Sequence, residues 1–110
     1  MGSPDPAVQV VLVTAPDLDT AARRGRALVE ERLAACVNLV PGLRSIYRWE
    51  GALHDDAEVL LLVKTRTDRL EALSARVKEL HPYALPEVLA LPASGGSPAY
   101  LEWLRTESAP

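Results

Sequence analysis

Two adjacent extended stretches of unusual length limit what this chain can become. Cys36 to Trp49 and Ala52 to Thr65 both read as strands, and Glu50-Gly51 between them supplies a turn, so the economical reading is a β-hairpin. Each run is about 13 or 14 residues long, where a common strand has about 5 or 6. At about 3.3 Å per residue such a ribbon reaches roughly 45 Å. A helix of about 15 residues covers only about 22 Å. Its far end, around Ile46-Tyr47-Arg48-Trp49 and Ala52-Leu53, therefore carries apolar and aromatic side chains into water. Two-stranded ribbons are marginal alone, and exposed edges pair with other chains. The expectation is that further copies of the same protein bury the overhang. The competing expectation is that Pro41-Gly42 folds the strand back sharply and shortens it.

The rest of the chain supplies a frame for that hairpin. Val8 to Thr14 is β-branched and almost wholly apolar, which suits a central strand. Asp17 or Asp19 can cap the helix that follows, because a short carboxylate accepts from the orphan amides of a first turn. Leu18, Ala21, Ala22, Gly25, Leu28, Val29 and Leu33 recur at helical steps and form its apolar stripe. Arg23, Arg24 and Arg26 fall mostly on the other side, and a solvated helix face is favoured over an anion patch. Pro41-Gly42 predicts a bulge or bend on an edge strand, since proline cannot donate to a ladder. Thr65 or Thr67 can cap a second helix with the stripe Leu70, Leu73, Val77 and Leu80. His81-Pro82-Tyr83 stops it. Glu87 to Ala93 is a fourth strand, and Pro98 opens a last short helix. The order β-α-β-β-α-β predicts an α+β ferredoxin-like sandwich. Its antiparallel sheet runs 4-1-3-2, with a long β2–β3 hairpin and a short C-terminal helix. Residues 1–7 read as a flexible N-terminal arm, and 8–107 as one domain.

Composition removes many functions. The chain has 110 residues, 48% of them hydrophobic, which suffices for one modest core. A single cysteine, Cys36, excludes an internal disulfide framework and any CxxC zinc or redox site. A formal charge of −3 argues against nucleic-acid binding. The chain has no Phe, and its central strands offer no aromatic for base stacking. No apolar run approaches the roughly 20 residues that cross a bilayer. The Met1–Pro6 start lacks the basic and apolar regions of a secretory signal, so a cytoplasmic protein is expected. No nucleophile elbow or phosphate cradle appears, and no enzyme is expected.

The groups left for binding a cation or small ligand are Cys36, His81, Glu87, His54, Asp55, Asp56, Glu58, Lys64 and Tyr83. His54-Asp55-Asp56 reads as solvated surface. Cys36 is either a thiolate ligand or a small buried hydrophobe. His81 is either a ligand or a helix terminator whose partly cationic ring suits the carbonyl end. Cys36 begins the second strand, and His81 and Glu87 precede and begin the fourth. The expectation is that both sites lie at one end of the sheet but on opposite edges, roughly 14 Å apart. One ion cannot bridge that gap, so a Cys36–His81 site needs a neighbouring copy. His81 with Glu87 is feasible in one chain.

Over most of its length the sequence resembles the CutA family of divalent-cation tolerance proteins. The matching segments include Val13-Thr14-Ala15-Pro16, Leu33-Ala34-Ala35-Cys36-Val37-Asn38, Ser45-Ile46-Tyr47-Arg48-Trp49-Glu50-Gly51, Lys64-Thr65, His81-Pro82-Tyr83 with Pro86-Glu87, and Tyr100-Leu101-Trp103. The resemblance implies a tight homotrimer, with strands pairing between subunits, and association with copper, Cu(II), or another divalent cation. It implies Cys36, His81 and Glu87 as metal contacts. Tyr47, Trp49, Lys64 and Tyr83 fall at an inter-subunit cleft and interface. It implies no organic cofactor and an architectural kinship with trimeric PII-type signalling proteins. Two rival expectations accompany it. One is a PII-like sensor that holds an anionic or zwitterionic small molecule with Lys64 and Glu58 in the cleft between subunits. The other is a rigid trimeric scaffold.

Overall fold

The computed structural model describes residues 6–81 and 85–110. Strand β1 (Val8–Ala15) is followed by helix α1 (Leu18–Glu30), strands β2 (Cys36–Trp49) and β3 (Ala52–Arg66), helix α2 (Leu70–Leu80), strand β4 (Leu89–Pro92) and helix α3 (Pro98–Glu107). The sheet is antiparallel in the order β2-β3-β1-β4, which is the expected 4-1-3-2 read from the other edge. Among the described residues, no helix is long and apolar enough to cross a membrane.

The hairpin keeps its length. β2 has 14 residues and β3 has 15, and the molecule measures 54 × 25 × 23 Å. Pro41-Gly42 bulges between the Val40–Leu60 and Leu43–Glu58 pairs, with Gly42 at φ 83°. The ladder then resumes to Trp49, because a bulge costs local pairing without turning the strand back. Gly51 at φ 78° closes the tight turn beyond it.

Alternation along β3 divides its neighbours. Val59, Leu61, Val63 and Thr65 are buried beneath the helices, with Val11, Val13 and Ala15 of β1 beside them. Leu28 of α1 and Leu73 and Val77 of α2 close this core. The opposite face is only partly covered. α3 seats Leu104 on Val8 and Ala35 at one end. Leu89 and Leu91, which pair with Leu12 and Val10, stay 56% and 48% exposed.

Several local expectations shift. α1 is capped by Asp17, whose carboxylate accepts from the Thr20 amide at 2.7 Å. Its buried stripe is Ala21, Gly25 and Leu28, while Leu18 and Val29 are exposed. Leu33 is buried from the loop after the helix rather than from the helix itself. Neither Thr65 nor Thr67 caps α2. Thr65 is a buried strand residue whose hydroxyl donates to the Leu33 carbonyl at 2.7 Å. The Thr67 hydroxyl donates to the Ala7 carbonyl and opens a 3-10 turn, Thr67–Arg69, ahead of the helix. β4 is shorter than expected, with Glu87 and Val88 outside it, because it pairs only with Gln9–Leu12 of β1 and ends at a proline that cannot donate.

The Thr65 bond ties the loop after α1 to the sheet interior. Thr65→Val keeps the shape and leaves a buried carbonyl without its partner. The expected cost is about 1–3 kcal/mol in chemical denaturation. A loss below a few tenths of a kcal/mol would show that water satisfies Leu33 instead.

Candidate functional site

The largest difference in cover along β3 falls where β1 ends. Ala15 pairs with Val59, so Glu58 is the first residue of β3 with no β1 partner. It pairs instead with Leu43 just past the bulge. Here a cleft of about 600 Å³ opens between the sheet end and the projecting ribbon. Glu58, Thr14, His81 at the end of α2, and Glu87 on the approach to β4 all line it. Ser45, Tyr47 and Trp49 line it from the ribbon. Three elements that end separately in sequence thus meet at one corner of the sheet.

The ribbon wall is held by its own bonds. The Tyr47 hydroxyl donates to Asp56 at 2.5 Å, and the Tyr47 ring stacks on His54 at 5.1 Å between centroids. On the other face Arg44 makes a two-pronged pair with Asp55 at 2.7 and 2.8 Å. His54-Asp55-Asp56 is accordingly a set of cross-strand partners split over two faces, as strand alternation requires.

Electrostatics in the cleft are uneven. Enclosure and then the nearby Glu58 carboxylate push the Glu87 carboxyl above its ordinary value. Enclosure first, and then the Arg24 guanidinium, hold the His81 ring below its ordinary value, while Glu58 pulls the other way. Enclosure and Arg24 thus disfavour the cationic His81 ring that a carbonyl terminus would favour. Its Nδ1 lies 2.9 Å from Arg24 Nη1. Arg24, read in the sequence as part of a solvated arginine face, belongs to this corner. Arg23 and Arg26 do stay on α1, with Thr20 and Glu30. Sequence pattern carries no signal for a partner 57 positions away. Thr14 and Ser45 were likewise unmarked, being ordinary strand residues until the corner forms.

The expected metal set separates. β2 runs parallel to β1 because both oppose β3, whereas β4 opposes β1. The starts of β2 and β4 therefore lie at opposite ends of the sheet, contrary to the single end expected. Cys36 pairs with Lys64, which pairs with Val10, while Glu87 lies beyond the Leu12 level of Leu89. The separation is three strand spacings of about 4.8 Å and several residues of about 3.3 Å each. Cys36 Sγ instead lies 3.7 Å from Asn38 Oδ1. Among the described residues, no group of three or more His, Cys, Asp or Glu is placed to hold a metal ion. His81 and Glu87 do share one cleft, as the sequence allowed.

The cleft-and-interface set divides in the same way. Tyr47, Trp49 and Glu58 are together. Lys64 is six positions along β3 from Glu58, roughly 20 Å away. Its Nζ lies 3.3 Å from the Tyr100 hydroxyl and above that ring. Within one subunit the two cannot grip one small molecule. Tyr83 lies outside the described residues.

Two carboxylates, two hydroxyls and two aromatic rings around one opening suit a cation, through oxygen contacts or ring faces. Comparison with known proteins agrees with the fold and supplies a family. Residues 9–107 match the family model described as CutA1 divalent ion tolerance protein. The chain is 58% identical over 97 residues to the Divalent-cation tolerance protein CutA of Thermus thermophilus, covering 88% of this chain and 94% of the relative. A solved divalent cation tolerance protein from that organism superposes with a TM-score of 0.89 at 55% identity, covering 93% of this chain and 99% of the other. Protein CutA, chloroplastic, of Arabidopsis thaliana is 48% identical, and the match covers 90% of this chain and 54% of that relative. CutA from Synechococcus elongatus, solved in complex with a Bis-Tris molecule, superposes with a TM-score of 0.85 at 37% identity, covering 93% and 94%.

The Glu58–Glu87 proximity has a titration consequence. Folding tightens the Glu87 proton, so its contribution to stability is present at low pH and fades as pH rises through the raised midpoint. Carbon-13 NMR of the side-chain carboxyls is expected to place Glu87 above 4.5. Glu58→Gln is expected to lower that midpoint while enclosure keeps it above 4.5. A wild-type midpoint at or below 4.5 would remove the coupling.

Proposed function

Because the chain belongs to the CutA1 divalent ion tolerance family, we propose that it is a divalent-cation-binding protein whose cleft at the root of the hairpin receives the ion in a homotrimer. The observation that carries this reading is the pair of carboxylates, Glu58 and Glu87, facing one opening with the proton of Glu87 held too tightly. The repulsion that Glu58 adds at the Glu87 carboxyl is relieved when a cation lies between the two. Glu58 and Glu87 would hold it, with the Thr14 and Ser45 hydroxyls nearby. A bound divalent cation supplies two positive charges where the walls place two negative ones. Cys36 stands apart, so copper binding through its thiolate would need a residue from a neighbouring copy.

The trimer rests on exposed apolar surface that one subunit leaves uncovered. Ile46 and Leu53 on one face of the ribbon are 66% and 73% exposed, and Leu89 and Leu91 leave apolar surface uncovered on the opposite, open face of the sheet. β2 and β4 are also edge strands with unpaired sides. Burying such surface against sister chains is the ordinary remedy. Sedimentation equilibrium is expected to give about three times the 11.9 kDa chain mass. A single-chain mass at micromolar concentration would overturn the assembly.

Calorimetric titration with manganese(II) and copper(II) tests the cleft. Glu58→Gln and Glu87→Gln are each expected to weaken manganese binding at least tenfold, and Cys36→Ala to leave it unchanged. Wild-type binding that neither Gln variant alters would remove the carboxylate site.

A second reading places a small organic ligand in the same cleft. The Synechococcus elongatus relative was solved with Bis-Tris, and Tyr47 and Trp49 offer ring faces to a cationic amine. The anionic version needs Lys64 from a neighbouring subunit, since Lys64 is remote from Glu58 along its own strand.

A further inference from the structure

Much of the cleft wall is apolar. Tyr47 and Trp49 line it from the ribbon, and Leu85 and Pro86 line it from the approach to β4. Its volume of about 600 Å³ lies in the range of about 300–1,000 Å³ that small organic molecules fill. Two carboxylates beside aromatic rings match a cation whose charge is spread over alkyl groups, since such a cation gains from ring faces and needs no closed coordination shell. The Tyr47 hydroxyl already donates to Asp56. His81 keeps a donor, and its place on the ring is fixed from behind. Arg24 Nη1 lies 2.9 Å from His81 Nδ1, and guanidinium nitrogens donate without accepting. Nδ1 is therefore the acceptor, and the hydrogen of the neutral ring sits on Nε2. His81 lines the cleft and Arg24 does not, so the edge left for the opening is the one that carries Nε2–H. Among the described residues, no acceptor takes that hydrogen.

Resting on the second reading above, in which the cleft takes a small organic ligand, we propose that this ligand is an amino alcohol or another organic ammonium bearing a neutral oxygen, and that Arg24 is the positioning residue that presents His81 Nε2–H to that oxygen. The ammonium belongs with Glu58, Glu87 and the rings. The acceptor must be neutral, because an anionic one would meet two carboxylates at the same opening. Arg24 reaches from α1 to the end of α2 to make its bond, whereas Arg23 and Arg26 keep to partners on their own helix. Enclosure and the Arg24 charge favour the neutral ring that this bond requires, and Glu58 opposes them. A histidine free to exchange tautomers would offer the opening a donor only part of the time. Arg24 removes that choice.

Calorimetric titration with choline and with propyltrimethylammonium, which has the same shape with a methyl group in place of the hydroxyl, tests this. The wild-type protein is expected to bind choline about fivefold more tightly, the worth of one hydrogen bond. His81→Phe keeps a ring without an N–H group. It is expected to erase the difference and leave the affinity for propyltrimethylammonium unchanged. Arg24→Met keeps an apolar stem without a donor and is expected to shrink the difference. Long-range proton–nitrogen NMR is expected to find the wild-type His81 hydrogen on Nε2, and in Arg24→Met a share of it on Nδ1. A wild-type hydrogen on Nδ1, or a choline preference that survives in His81→Phe, would overturn the role of this pair. Equal affinity of the wild type for both amines would overturn the oxygen-bearing ligand while leaving an organic cation in the cleft. Binding of neither amine would overturn the organic-ligand reading itself.

Discussion

The structure is organised by one strand that belongs to two environments. β3 is paired along its C-terminal half to both β1 and β2, and along its N-terminal half to β2 alone. The first half has a core beneath it, with Leu61 and Val63 fully buried against the helices. Among the described residues the second half has no second layer, and its cohesion comes from cross-strand pairs such as Arg44–Asp55 and Tyr47–Asp56. The change from one regime to the other occurs between Val59 and Glu58. β1 runs out there and the Pro41-Gly42 bulge re-aims β2.

That junction explains why the cleft lies where it does. A sheet end normally presents loops to water. Here the ribbon continues past it and forms a wall, so Thr14, His81 and Glu87 face Tyr47 and Trp49 across an opening. Polar side chains gathered there are neither fully solvated nor buried with complete partners. The pKa shifts follow from this: partial enclosure raises Glu87, with Glu58 adding to the rise, and lowers His81, with Arg24 adding to the fall and Glu58 opposing it. The cleft combines two mutually repelling carboxylates with a cation, Arg24, that bonds to the ring instead of to either of them.

Particular residues mark how far the chain could be read without coordinates. The hairpin, its turn at Gly51 and the bulge at Pro41-Gly42 were legible because glycine, proline and strand periodicity act within a few residues. The N-cap at Asp17 was legible for the same reason. Thr65 reads as a possible cap, because a threonine before a helix looks alike whether it faces the helix amides or a loop carbonyl 32 positions away. His81 and Glu87 line one cleft. Strand starts alone put Cys36 at their end of the sheet, because a strand start carries no strand direction. The parallel relation of β2 to β1, fixed by their shared partner β3, puts it at the other end.

The amino-acid sequence by itself determined the elements, their order, the excess length of the ribbon and the kinds of side chain available for binding. Each of those is set by local backbone preference or by the alternation of apolar residues, which need no distant partner. Only the tertiary structure decided which of the candidates meet. Glu58 joins Glu87 because β1 stops one residue short of it. Lys64 goes to Tyr100 because α3 covers that end of the sheet, and Arg24 leaves its helical neighbours for an imidazole. Contacts between residues tens of positions apart depend on strand direction and on where each element ends. Those are properties of the packed chain, not of any segment within it.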